Sequence, residues 1–261
     1  MKKLSGKNAF ISGSSRGLGL ACAKALAEQG ANVFLVATNE ALLKEATSVI
    51  QQRSAVQVGF HAVDLRTLEG CQQASHAFLE RFGQADILVN SAGATKGGIF
   101  PEQSDEEMID GFALKFHGAV RLCRQLWPSL KQSNGTVINI VGGAARSPSG
   151  DFMVGGSVNA ALANFSKALA AQGLVDDVNV NWVLPGMTET ERMERLLEGK
   201  AKMQNKSKDE VRADSIRNEG IRRLGLPEDV AELVVFLCSP AARHIQGAGI
   251  PVDGGAGKGY Y

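Results

Sequence analysis

Seven short runs rich in β-branched and apolar residues, NAFIS, NVFLVA, VQVGFHAV, DILVN, TVINIV, VNVNWV and GIPVDG, alternate with longer helix-like segments along the whole chain. Strands separated by helices have room for the crossover that parallel pairing needs, and each crossover helix must bury an apolar face on the sheet. The alternation therefore predicts a single-domain, doubly wound α/β fold with a parallel seven-stranded sheet and helices on both faces. In LGLACAKALAEQG, Leu18, Cys22, Ala25 and Leu26 fall on one helical face. Gly30, Gly83, Gly135 and Gly173 stand where helices are expected to stop. One segment breaks the rhythm. Residues 188–224 are charged and helix-prone, and Met193, Leu196 and Leu197 share a helical face there. Two readings stay open for this insertion in the single domain 1–261: a lid over a substrate pocket, or a solvated pair of surface helices.

Composition narrows the partners. With 44% hydrophobic and 21% charged residues the chain is ordinary globular material, and its formal net charge of +1 gives no basis for nucleic-acid or membrane-surface binding. Cys22, Cys71, Cys123 and Cys238 are scattered, which favours reduced thiols over disulfides or a metal site. No apolar run reaches the length of a membrane span or forms a leader, so a cytoplasmic location is expected.

The first strand runs into SGSSRGLG, placing Gly13, Gly17 and Gly19 at a strand–helix junction, with Ser15, Arg16 and Leu18 between them. Glycines at such a bend let the backbone approach a pyrophosphate, whose charge the helix N-terminus stabilises. At the end of the second strand, an acid that would bind an adenosine ribose and repel a 2′-phosphate is missing: Ala37, Thr38 and Asn39 stand there.

The order of motifs resembles the short-chain dehydrogenase/reductase family over nearly the whole length. SGSSRGLG is similar to its TGxxxGxG turn. NSAG, with Asn90, Ala92 and Gly93, resembles the NNAG motif that steadies the sheet and lines the nucleotide cleft. VDL, with Asp64 and Leu65, resembles the adenine-contacting segment. LPGMTET, with Pro185, Gly186, Thr188 and Thr190, resembles the turn that holds the nicotinamide. Arg16 resembles the basic residue of NADP-using members, although Thr38 replaces their second cation. The resemblance implies a Rossmann fold with a nicotinamide cofactor, NADP(H) ahead of NAD(H), a small-molecule carbonyl or alcohol substrate, and a homodimer or homotetramer packed through the helix around 105–131 and the one beginning near 154.

Its catalytic residues are what the chain lacks. Matching NAALANFSKALA to the family pattern puts Asn159 at the lysine, Gly155 at the tyrosine, Gly142 at the serine and Lys115 at the supporting asparagine. Both tyrosines of the chain are its last residues, Tyr260 and Tyr261. Three explanations remain at this point. The scaffold is a non-catalytic dinucleotide-binding or regulatory protein; or it is a rewired oxidoreductase using Lys115 and Asn159; or Ser147, Ser149, Asp151 or a terminal tyrosine supplies the acid. Gly142, Gly155 and Gly156 would leave a roomy pocket. His117, two residues beyond Lys115, is expected to face away from it.

Overall fold

The computed structural model describes residues 2–93 and 95–257, so Tyr260 and Tyr261 lie outside the described residues. All seven expected strands form one parallel sheet, in the order β3-β2-β1-β4-β5-β6-β7. They are β1 (Asn8–Ser12), β2 (Asn32–Ala37), β3 (Val58–Ala62), β4 (Ile87–Asn90), β5 (Thr136–Ile140), β6 (Asn179–Pro185) and β7 (Gly249–Val252). Alternate residues serve opposite faces. Ala9 and Ile11 join a core with α1 (Gly17–Glu28), α2 (Glu40–Arg53) and α9 (Pro227–Cys238). Phe10 points the other way, into a core with α3 (Leu68–Phe82), α5 (Ala119–Gln132) and α6 (Met153–Asp176). All four cysteines are free, and three are buried. No helix among the described residues is long and apolar enough to cross a membrane.

The expected helix stops divide. Gly30 (φ +93°) and Gly83 (φ +74°) do follow helices in left-handed conformations. At the end of α5 the left-handed residue is Asn134 (φ 51°), and Gly135 is there for space, since a Cβ would come within 2.7 Å of the Asp86 carbonyl oxygen. Gly173 is no stop at all. Helix α6 runs through it to the left-handed Asp177 (φ 57°), and the lack of a side chain at 173 admits the Val178 carbonyl, 2.2 Å from where a Cβ would sit.

The segment before α5 contains α4 (Asp105–Phe112) and then a π-helical turn, Ala113–Gly118, so the helix expected around 105–131 is continuous but widened in its middle. Such widened turns commonly mark functional positions. The charged stretch forms α7 (Glu191–Gln204) and α8 (Lys208–Glu219), capped by Thr190 and by a Ser207–Glu210 capping box. This pair has a small core of its own, Leu197, Ala201, Val211, Ile221 and Leu224, with Met193 packed against it. Leu196 departs from the expected shared face: it is half exposed and lines a cleft instead.

Candidate active site

Strands β1 and β4 are neighbours, yet the chain leaves β1 towards β2 and β3 and returns to β4 on the other side. Connections diverge at such a point and open a crevice beyond the carboxyl ends of the strands. A cleft of about 670 Å³ lies there. At one end it is lined by Gly13, Ser15, Arg16, Gly17, Leu18 and Gly19, with Thr38 after β2 and Leu65 after β3. Ala92 and Gly93 follow β4, Lys115 comes from the π turn, and Gly142 follows β5. Asn159 on α6, Pro185 at the end of β6, and Gly186, Thr188 and Thr190 after it complete the set.

The glycine turn is closed by contacts that no side chain would allow. A Cβ on Gly13 would lie 2.7 Å from the Ala92 Cα, and one on Gly19 would lie 2.3 Å from the Gly13 carbonyl oxygen. The Ser12 hydroxyl accepts hydrogen bonds from the Ser91 and Ala92 amides at 3.0 and 3.1 Å, which pins the loop after β4 against the turn. Helix α1 begins at Gly17 with no side-chain cap and no acid in its first turn. Its free N–H groups and positive dipole end therefore face the cleft. Arg16, beside them, pairs with Glu191 of α7 at 3.2 Å, and both side chains are well exposed.

Two residues expected at the cofactor do not line the cleft. Asp64 accepts from the Arg66 amide at 2.9 Å and pairs with its guanidinium, which also holds Asp110. Asn90 is buried beneath the cleft, where its Nδ2 donates to Asn139 Oδ1 at 2.8 Å, and Asn139 in turn donates to Ser166 at 2.7 Å. That polar chain ties β4 to β5 and α6.

At the other end stands Lys115. Its side chain crosses Gly93, where a Cβ would lie 2.9 Å from the lysine Cδ, and its ammonium donates to the Val141 carbonyl. Burial, and then the charge of Arg192, bring its pKa down from 10.5 to about 7. Asn159 is buried, and its Oδ1 has no hydrogen-bond partner among the described residues. A buried amide oxygen without a donor is costly, so this atom is suited to a ligand hydroxyl. Gly142 (φ +120°) brings the backbone close: a Cβ there would be 3.2 Å from Asn159 Nδ2. His117 is exposed and rests edge-on against Phe116.

The roomy pocket expected from Gly142, Gly155 and Gly156 is corrected at Gly155. The Phe152 ring lies directly over that glycine, with ring atoms 2.0 Å from where a Cβ would be. An aromatic ring thus fills the space beside residue 155, supplied from the preceding turn and without a hydroxyl. Arg192 of α7 lies over the same ring, 5.9 Å from its centroid, and donates to the Thr95 carbonyl at 2.8 Å. Ser147, Ser149 and Asp151 are absent from the cleft lining, and a hydrogen bond from Ser149 holds the Asp151 carboxyl below its usual range, in its ionised form.

Sequence reasoning passed over Phe152, Arg192 and Arg195, all three of which line the cleft. The signal for Phe152 was only its proximity to a glycine in place of a tyrosine. The two arginines were indistinguishable from a solvated helix face.

A family model described as "Enoyl-(Acyl carrier protein) reductase" matches residues 13–257. The "Uncharacterized short-chain type dehydrogenase/reductase y4mP" of Sinorhizobium fredii is 32% identical over 97% of this chain and 98% of its own length. The chain belongs to the short-chain dehydrogenase/reductase family. The "Uncharacterized oxidoreductase YvaG" of Bacillus subtilis is 33% identical over 97% of this dehydrogenase/reductase and 96% of the relative. The crystal structure of L-sorbose reductase from Gluconobacter frateurii, complexed with NADPH and L-sorbose, superposes with a TM-score of 0.95 at 34% identity, covering 99% of this chain and 100% of that one. These relatives place this short-chain dehydrogenase/reductase in an oxidoreductase family.

Proposed function

We propose that the chain is an NADP(H)-dependent oxidoreductase that interconverts a carbonyl and an alcohol, with Lys115 carrying the proton that a tyrosine carries elsewhere in the family. The observation behind this is the Lys115 amine, held inside the cleft by the Val141 carbonyl and poised near neutrality. The cofactor fits the residues present: the glycine turn and the bare N-terminus of α1 suit a pyrophosphate. The unpartnered Asn159 Oδ1 suits a ribose hydroxyl. Arg16, with no acid among Ala37, Thr38 and Asn39 at the end of β2, suits a 2′-phosphate. The sorbose reductase neighbour, whose structure contains NADPH, supports the same choice.

When bound, the reduced nicotinamide supplies hydride to the carbonyl carbon. The chain's task is the oxygen. Lys115 Nζ donates a proton to the oxygen as it gains charge, and in the reverse direction it takes the proton from the alcohol. Phe152, over Gly155, walls the pocket and limits water beside the reacting oxygen. Reduction needs the protonated amine, so its rate should fall as pH rises through about 7, whereas alcohol oxidation should rise over the same interval. A pH–rate profile in both directions tests this, and parallel profiles would rule out the amine as proton carrier.

Cofactor choice has its own test. Arg16→Ala should weaken NADP(H) binding roughly tenfold by calorimetry and leave NAD(H) binding unchanged, as expected for one charge-assisted contact to phosphate. Wild-type protein that bound NAD(H) at least as tightly as NADP(H) would overturn the assignment.

A further inference from the structure

Among the described residues, six charged ones line the cleft: Arg16, Arg66, Lys115, Glu191, Arg192 and Arg195. Arg16, assigned above to the coenzyme, makes an exposed pair with Glu191, and Arg66 pairs with Asp64 and Asp110. Among the described residues, Lys115, Arg192 and Arg195 have no carboxylate partner. Arg192 lies close enough to act on Lys115, and Arg195 on Arg192, so the three basic side chains are neighbours in the cleft, and among the described residues the one acid of the lining, Glu191, pairs with Arg16. Like charges gathered at a pocket repel one another until an anion enters, and a concave site of one sign also concentrates ions of the other.

Arg192 is also set in place for recognition. A cation–π contact with Phe152 and one bond to the Thr95 carbonyl hold it at the cleft, although the side chain is exposed. A guanidinium has five N–H donors in a rigid fork, so most of them remain for a ligand. The platform depends on Gly155, because any side chain there would displace the ring. Phe152, Met193 and Leu196 supply apolar walls around these donors. Both arginines are exposed at this rim, and charge-assisted bonds to a guanidinium are stronger than neutral ones.

We infer that the substrate is a small carbonyl compound bearing an anionic oxyacid group, a carboxylate or a phosphate, which Arg192 and Arg195 bind while its carbonyl oxygen meets Lys115. The inference rests on the oxidoreductase reading above and adds the substrate's charge. The reaction balances as carbonyl plus NADPH plus one proton giving alcohol plus NADP⁺, with the anionic group unchanged.

The test compares matched pairs: acetoacetate with methyl acetoacetate, and dihydroxyacetone phosphate with dihydroxyacetone. Wild-type protein should favour the charged member of at least one pair roughly 10- to 100-fold in kcat/KM, and the pair concerned identifies carboxylate or phosphate. Arg192→Gln with Arg195→Gln should bring that ratio close to one, and Arg192→Lys should keep part of it. Calorimetry with phenylacetate and inorganic phosphate on NADP⁺-loaded protein gives a second readout, in which at least one anion should bind and lose roughly tenfold in the glutamine variants. Neutral ketones reduced as well as charged ones, or anion binding indifferent to both arginines, would overturn the inference and leave the oxidoreductase reading standing. Anion binding that depends on the arginines, without turnover of any ketone, would sustain the anion site and overturn the oxidoreductase reading.

Discussion

Lys115→Met should lower turnover at pH 7 by roughly 10²–10⁴-fold, the usual worth of general acid–base catalysis, and yet make the protein more stable. The two effects share one cause. A lysine whose pKa falls from 10.5 to about 7 on folding binds fewer protons in the native chain than in the unfolded one between those values. Wild-type stability therefore declines as pH drops from about 10.5 to about 7 and is level, with respect to this group, below that. Each unit is worth about 1.4 kcal/mol, and with allowance for the side chain's partial exposure to the cleft the cost is on the order of 3 kcal/mol. Methionine has similar length and no charge but leaves the Val141 carbonyl without its donor, so the thermal midpoint at pH 7 should rise by only about 2–5 °C. The difference from wild type should close as the melts are repeated towards pH 10. Unchanged rates and pH profile in the variant would discard the lysine mechanism, and an unchanged midpoint would mean that the ammonium is better solvated than its surroundings imply.

Gly19→Ala should abolish useful cofactor binding. The added methyl would lie 2.3 Å from the Gly13 carbonyl oxygen and 2.8 Å from its carbon. Both are backbone atoms and cannot rotate aside, so the turn must open and carry the N-terminus of α1 with it. A displacement of this kind should cost about 1–3 kcal/mol in stability. Misplaced amides should weaken NADPH binding by roughly 100-fold, read by quenching or transfer of NADPH fluorescence. Gly199→Ala provides the contrast: it lies within α7 with nothing within 4 Å of an added Cβ, and should stabilise by about 0.5–1 kcal/mol without affecting NADPH. Wild-type affinity in Gly19→Ala would refute the account of the glycine turn.

The fold was legible because its signals are local and repeated. Each strand is a short β-branched run, each crossover helix has an apolar stripe, and the glycine turn occupies its junction. The placement of Lys115 could be reached only by alignment with the family motif, since a single lysine on a helix has no sequence mark of which way it points. Its approach depends on Gly93, on another loop, and on the widened turn at Ala113–Gly118. What sequence reasoning took for an open space at Gly155 is a packing relation, in which the missing Cβ is the seat of Phe152. Gly173 misled for the same reason: a glycine serving a close approach from Val178 reads like a helix stop. Asp64 and Asn90 were matched by motif; Asp64 pairs with Arg66, and Asn90 links β4 to β5 through Asn139, the sheet-steadying part of the role its motif implies. The arginines of α7 stayed hidden because residues 188–224 alternate charges throughout, and only the three-dimensional arrangement separates paired cations from unpaired ones.

Helices α7 and α8 draw their cohesion from Leu197, Ala201, Val211, Ile221 and Leu224, none of which belongs to the cores on either side of the sheet. Arg192 and Arg195 thus rely on different buried side chains from the glycine turn that is proposed to hold the pyrophosphate, while Thr188 and Thr190 border the outer pair. Mutational drift in the outer pair can retune which metabolites are accepted while the nucleotide cradle keeps its shape, so new specificities can arise here without a new fold.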